Sequence, residues 1–202
     1  MELPGHRTTG CEAVNQPSGD AHELELLHRT AARDRSAFED LYHLYHRRLA
    51  RFLTRMTRHP DLAEEIINDT MWIVWQRAGE FRGASRVSTW VMGIAYRRAL
   101  KAFRRASVKL VPVEYDAMDD AVQTDACAEV EGFERVELVT HALAELPLEQ
   151  RLVVELTYYL GHSCAEIAEI LECPVNTVKT RMFHARRKLR IRLPALSGGA
   201  LP

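Results

Sequence analysis

Ser163-Cys164-Ala165-Glu166-Ile167-Ala168-Glu169-Ile170-Leu171-Glu172-Cys173-Pro174-Val175-Asn176-Thr177-Val178-Lys179-Thr180-Arg181-Met182-Phe183-His184 is the stretch from which the rest of the chain can be organised. It opens on a capping box. The Ser163 hydroxyl can accept the N–H three residues on, and Glu166 can reach back to the serine amide. Ala165, Ile167, Ala168 and Ile170 then give about two helical turns, with the small Ala168 allowing a second helix to cross closely. Glu172-Cys173-Pro174 reads as a tight turn, because proline suits the first position of a new helix, where its missing N–H would have no partner. In that new helix Val175, Val178, Met182, Ala185 and Leu189 form an apolar stripe.

At about 100° per residue, the face opposite the stripe carries Asn176, Thr180, Phe183, His184 and Arg187. Lys179, Arg186 and Arg190 flank it, and Arg181, Lys188 and Arg192 complete a basic run that holds no acidic residue. A short capped helix, a tight turn and a basic amphipathic helix predict a helix-turn-helix whose second helix suits the major groove. Asn176, Lys179, Thr180 and His184 are polar groups placed to read base edges, whereas Arg181, Arg186 and Arg187 suit phosphates. Thr177 and Phe183 complete this candidate DNA-binding set. A plain solvated basic face is the alternative.

Outward from this motif the chain reads as all-α, two small helical domains joined by a flexible acidic linker. A disordered tail is expected over 1–20 and a helical block over 21–106. An acidic linker follows over 107–130, then the helix-turn-helix block over 131–194 and a short tail over 195–202. In the first block Phe38, Leu41, Tyr45, Leu49, Phe52 and Met56 step by three or four residues. Pro60-Asp61 starts a second helix with Leu62, Ile66, Ile73 and Val74 inward, and Phe81-Arg82-Gly83-Ala84-Ser85 reads as a loop. Ser88 or Thr89 is placed to cap a third helix through Trp90, Ile94 and Leu100. The linker carries Glu114, Asp116, Asp119, Asp120, Asp125 and Glu129. In the last block Phe133, Val136, Val139, Leu143 and Leu146 precede Pro147, which starts a helix through Leu152, Val153, Leu156 and Tyr159. Gly161 stops that helix.

Composition excludes several classes. No apolar run approaches the roughly 20 residues that span a bilayer, so no membrane insertion is expected. The four cysteines show no CxxC pairing, which makes free thiols and a cytoplasmic location the default. His162, Cys164 and Cys173 lie close in sequence, but zinc sites use four ligands at tighter spacing, so no metal and no cofactor are assigned. There is no P-loop, G-x-S-x-G or H-E-x-x-H, and no enzyme is expected.

The segment from Ala165 to Arg181, with Leu146-Pro147-Leu148-Glu149-Gln150-Arg151 before it, resembles the fourth conserved region of bacterial extracytoplasmic-function sigma factors. Ala37-Phe38-Glu39-Asp40-Leu41-Tyr42, Asp61-Leu62-Ala63-Glu64-Glu65-Ile66 and Ser88-Thr89-Trp90 with Ile94-Ala95 resemble their second region. The resemblance covers about residues 22–193. It implies a protein without catalytic residues that joins core RNA polymerase, directs it to promoter DNA, helps open the strands and is held in check by an anti-sigma factor. It places polymerase binding on Glu65, Asn68, Asp69 and Trp72, where a solvated acidic face is the alternative. It places minus-ten recognition on Arg82, Gly83, Ala84, Ser85 and Arg86 as a base-capturing loop, which could also be an ordinary turn. Trp90, Arg97, Arg98 and Lys101 follow on the next helix, Trp90 being equally readable as core. The linker would thread the polymerase cleft or serve as a tether. A stand-alone dimeric helix-turn-helix regulator is the competing function, distinguished by specific DNA binding without polymerase.

Overall fold

The computed structural model describes residues 17–57, 59–106 and 139–193. The expected acidic linker, the C-terminal tail, most of the N-terminal tail, and Phe133 and Val136 lie outside the described residues. Helix α1 runs Pro17–Ala31, α2 Arg35–Thr57, α3 Pro60–Arg77 and α4 Val87–Ala106, with a 3-10 turn Ala78–Glu80 before the loop to α4. A helical stretch over 139–144, α5, precedes α6 Leu148–Tyr158, α7 Cys164–Ile170 and α8 Val175–Arg192. Every regular element among the described residues is helical.

The expected stripe on α2 is buried from Leu41 to Met56, and it packs against α1 and α3. Asp34 starts α2 by accepting the Ala37 N–H at 3.2 Å, while the Arg29 guanidinium beside it holds its carboxyl below the usual range. Helix α1 begins four residues inside the segment expected to be a tail. Pro17 sits at its first position and Asp20 lies in its first turn, where negative charge is favoured. Its Leu26 and Leu27 are buried, and Glu23 ties it to α2 by accepting from the Tyr45 hydroxyl at 2.5 Å and from Arg48 at 2.6 Å.

Two local expectations are corrected. Ser88 and Thr89 do not cap α4. The Arg86 carbonyl accepts the Trp90 N–H at 3.1 Å, so both hydroxyl residues lie inside the first turn and are buried. Cys164 is disulfide-bonded rather than a free thiol, whereas Cys173 is free. Gly161 takes the left-handed backbone conformation (φ 69°) after α6, which lets the His162 N–H reach the Leu156 carbonyl at 2.9 Å.

The two helical modules touch. Helix α4 packs against α7, and α2 meets α6. At the α2–α6 junction the Arg151 guanidinium donates to the Arg55 carbonyl at 3.1 Å, and Arg55 lies 3.8 Å from the buried Glu155 carboxylate. Burial outweighs Arg55, Arg151 and Arg51 and pushes the Glu155 carboxyl up to about 7. Within the second module Leu156, Ile167, Ile170, Val178 and Ala185 are fully enclosed. Ile167→Ala should therefore cost about 2–5 kcal/mol from reduced apolar burial and the cavity left behind. Urea unfolding of the full chain measures this, and a loss below about 1 kcal/mol would mean that α7 does not anchor α8.

Candidate nucleic-acid interface

The capping box is formed as the residue types predict. Glu166 N–H donates to Ser163 Oγ at 3.3 Å, and Ser163 N–H donates to Glu166 Oε2 at 2.8 Å. Between α7 and α8, Glu172 adopts a left-handed conformation (φ 52°) that residue type does not announce, and Pro174 stands just before α8 rather than within it. Val178, Met182 and Ala185 bury one side of α8, while Val175, expected on that side, is exposed at the helix end.

The opposite side is open. Asn176, Lys179, Thr180, His184 and Arg187 are exposed, Thr177 is half-buried, and Phe183 keeps 63% of its surface accessible. An aromatic ring so exposed in the middle of a basic face, in edge contact with the neighbouring His184 ring at 5.5 Å, offers a surface to a partner. Thr180 donates its hydroxyl to the Asn176 carbonyl at 2.9 Å. Two arginines are turned back on the protein. Arg181 is ion-paired with Glu149 at 2.6 Å, and Arg186 donates to the Tyr158 hydroxyl at 3.1 Å.

A concavity of about 550 Å³ lies between the 3-10 turn and α4. It is lined by Arg77, Gly79, Glu80, Phe81, Arg82, Trp90, Ile94 and Arg97. Phe81 and Trp90 pack with ring centroids 5.4 Å apart, so Trp90 is at once half-buried and a wall of the cavity. Gly93 makes room on α4. A β-carbon there would stand 3.4 Å from the Arg97 guanidinium. The cavity differs from the expected loop. Arg82 contributes, but Gly83, Ala84 and Ser85 do not line it, and Arg86 is held by Asp20 with Nε to Oδ1 at 3.0 Å. Arg77 and Phe81 take their place, and only the turn over Ala78–Glu80, which local periodicity does not reveal, brings them there. Lys101 is exposed, and Arg98 is paired with Asp69.

On α3, Glu65, Asn68 and Trp72 share an exposed face, and Trp72 keeps 59% of its surface accessible. The Asn68 side-chain carbonyl accepts from the Tyr42 hydroxyl at 3.1 Å. Asp69 is committed to Arg98, which links the candidate polymerase-binding and minus-ten residues within the protein.

His162, Cys164 and Cys173 form no metal-binding group among the described residues. His162 is instead buried at the junction of the modules, within electrostatic reach of Glu166, Arg86, Arg48 and Asp20, and burial pulls its pKa down to about 4. The neutral form is thus favoured by folding. The stability it contributes is complete above about 6.5 and is lost as pH falls through 4. The raised Glu155 has the opposite sign, its contribution being lost as pH rises towards 7. In a Glu155→Gln background, unfolding free energy should fall by about 2–3 kcal/mol between pH 6.5 and 4 through His162. Adding His162→Gln should flatten that part of the curve. Equal pH slopes with and without His162, measured by denaturant unfolding, would refute the assignment.

Known proteins share this arrangement. Residues 41–108 match the model of sigma-70 region 2, and residues 137–189 match sigma-70 region 4. The chain is 33% identical over 195 residues to the ECF RNA polymerase sigma factor SigM of Mycobacterium tuberculosis, covering 94% of each chain. Among solved structures, CnrH in complex with the cytosolic domain of CnrY is similar in fold (TM-score 0.61, 20% identity, 86% of this chain and 98% of that one). The sigma factor RpoE in complex with the anti-sigma factor NepR from Bartonella quintana is also similar (TM-score 0.57, 24% identity, 78% and 96%). On the strength of the SigM likeness and the two matched regions, this chain belongs to the ECF RNA polymerase sigma factors.

Proposed function

We propose that this sigma factor docks on core RNA polymerase through α3, reads an upstream promoter element with α8, and holds the opened minus-ten strand along the cavity and α4. The observation that carries the reading is the division of α8 into a buried apolar side and an open side bearing Asn176, Lys179, Phe183, His184 and Arg187. Asn176 and Lys179, near the helix start, are where a recognition helix meets base edges, and the arginines further along supply phosphate contacts. The Phe81–Trp90 wall beside Arg82 and Arg97 offers ring surface and positive charge to an unpaired base. Binding single strands in preference to duplex shifts the melting equilibrium by differential affinity, so the role needs no catalytic residue and no nucleotide hydrolysis.

The exposed Trp72, next to Glu65 and Asn68, gives the polymerase contact an apolar anchor within a polar face. Such a role belongs in the cytoplasm with the transcription machinery. RpoE, a similar fold, is seen in complex with an anti-sigma factor, and we extend to this chain an anti-sigma partner that covers its polymerase-binding surfaces.

Lys179→Ala or His184→Ala should weaken use of the upstream element by about 1–3 kcal/mol for each base-edge hydrogen bond removed, with promoter-dependent effects. Trp72→Ala should reduce association with core polymerase on every promoter. Reconstituted transcription over a set of promoter variants measures both. Unchanged transcription from every promoter by both α8 variants would show that the reading face lies elsewhere, and a chain that never associates with core polymerase would refute the function.

A further inference from the structure

A surface that only neutralises phosphates has no use for a carboxylate, since like charges repel. The cavity between the 3-10 turn and α4 nevertheless carries one, Glu80, among Arg77, Arg82 and Arg97. Arg77 holds it in place, reaching it through Nε at 2.7 Å and Nη2 at 2.6 Å. Both contacts fall on Oε2, which leaves Oε1 to accept from a ligand. Phe81 and Trp90 add ring faces to the same lining, with centroids 5.4 Å apart and planes inclined at 57°. A volume of about 550 Å³ is in the range of small-ligand sites. Rings, guanidinium groups and a carboxylate together fit a nucleotide, and the carboxylate limits which base it can carry.

We propose that the cavity is a guanine site. The proposal deepens the reading of the cavity as the place of an unpaired minus-ten base, and rests on that reading where the ligand is a strand. Stacking on an aromatic ring is open to every base, so it sets affinity rather than choice. Choice comes from the base edges. Guanine presents N1–H and its N2 amino group side by side as donors, which a carboxylate accepts. It also presents O6 and N7 as paired acceptors, which one guanidinium serves with two bonds. No other base has both pairs. Adenine sets its N6 amino group beside N7, so a guanidinium there meets a donor. Cytosine and thymine place an acceptor next to each donor of that edge, which a carboxylate repels. Glu80 therefore selects the base, Arg82, exposed on the same lining, takes O6 and N7, and Arg97 takes the phosphate. A guanine in an opened strand and a free guanine nucleotide offer this same chemistry.

The full chain without polymerase tests the pocket, and the holoenzyme reconstituted with core polymerase tests the strand. In equilibrium dialysis, the full chain should retain GMP about three- to tenfold more tightly than AMP or CMP, the range expected for a net hydrogen bond. IMP, which lacks only the N2 amino group, should fall between GMP and AMP. Glu80 is exposed, so E80Q should unfold at the wild-type temperature, yet it should retain GMP and AMP equally. With the holoenzyme, anisotropy of a labelled oligo(dT) strand should report tighter binding when one central thymine is replaced by guanine than by adenine. E80Q should erase that difference. If GMP binds the chain no more tightly than AMP, or E80Q keeps the preference, the proposal is overturned. If GMP is preferred but the guanine and adenine strands bind alike, the guanine site stands with a free nucleotide as its ligand, and the minus-ten reading of the cavity is what fails.

Discussion

One carboxylate joins the local and the long-range architecture of this protein. Glu166 closes the capping box of α7 with Oε2, which accepts from the Ser163 N–H and hydroxyl, while Oε1 accepts the Thr89 hydroxyl of α4. Partial burial acts to raise its pKa, but the bonds from Ser163 and Thr89 outweigh burial and hold it below the ordinary glutamate range. The helix that packs beneath α8 is thus started by the same side chain that reaches across to the first module. A purely local cap would couple nothing beyond its own helix, whereas this one binds two levels of structure together.

The first module works as a rigid support of a different kind. Its core is aliphatic and aromatic, from Leu27 on α1 through Tyr45 and Phe52 on α2 to Met71 on α3 and Met92 on α4. This leaves the outer faces free to carry charge. Arginines dominate the α4 side and acidic and polar groups the α3 side, and the Arg98–Asp69 pair bridges the two. A surface built from such pairs is energetically cheap to rearrange, because each partly exposed pair contributes little to stability.

The junction between the modules is more polar than either core. Glu155, Arg151 and His162 are all buried there or beside it, and Arg51 and Arg55 lie over the Tyr159 ring at 4.9 and 4.7 Å. Burying charged groups is costly even when they are paired, so such a junction favours one arrangement strongly over near neighbours while adding modest net stability. The α7–α8 packing is apolar by contrast.

Much of this is legible in the residues alone, because it depends on short-range chemistry. The Ser163–Glu166 box, the stop at Gly161, the buried stripe of α2 and the split of α8 into apolar and basic sides each need only a few neighbouring residues and a helical period. The cavity is legible only in part. Arg82, Trp90 and Arg97 stand out in the sequence, but Arg77 and Phe81 enter through a 3-10 turn with no period of its own. The cap expected of Ser88 or Thr89 does not hold, because both side chains find a buried place on a surface that local patterning does not describe. The order of residues was enough to set which helices form and what charge each carries. The docking of those helices was needed to set which charges face each other, Thr89 with Glu166 across 77 residues and Arg97 with Glu172 across 75. Helix formation is settled within a turn or two of chain, whereas polar pairs between modules depend on how two finished surfaces meet.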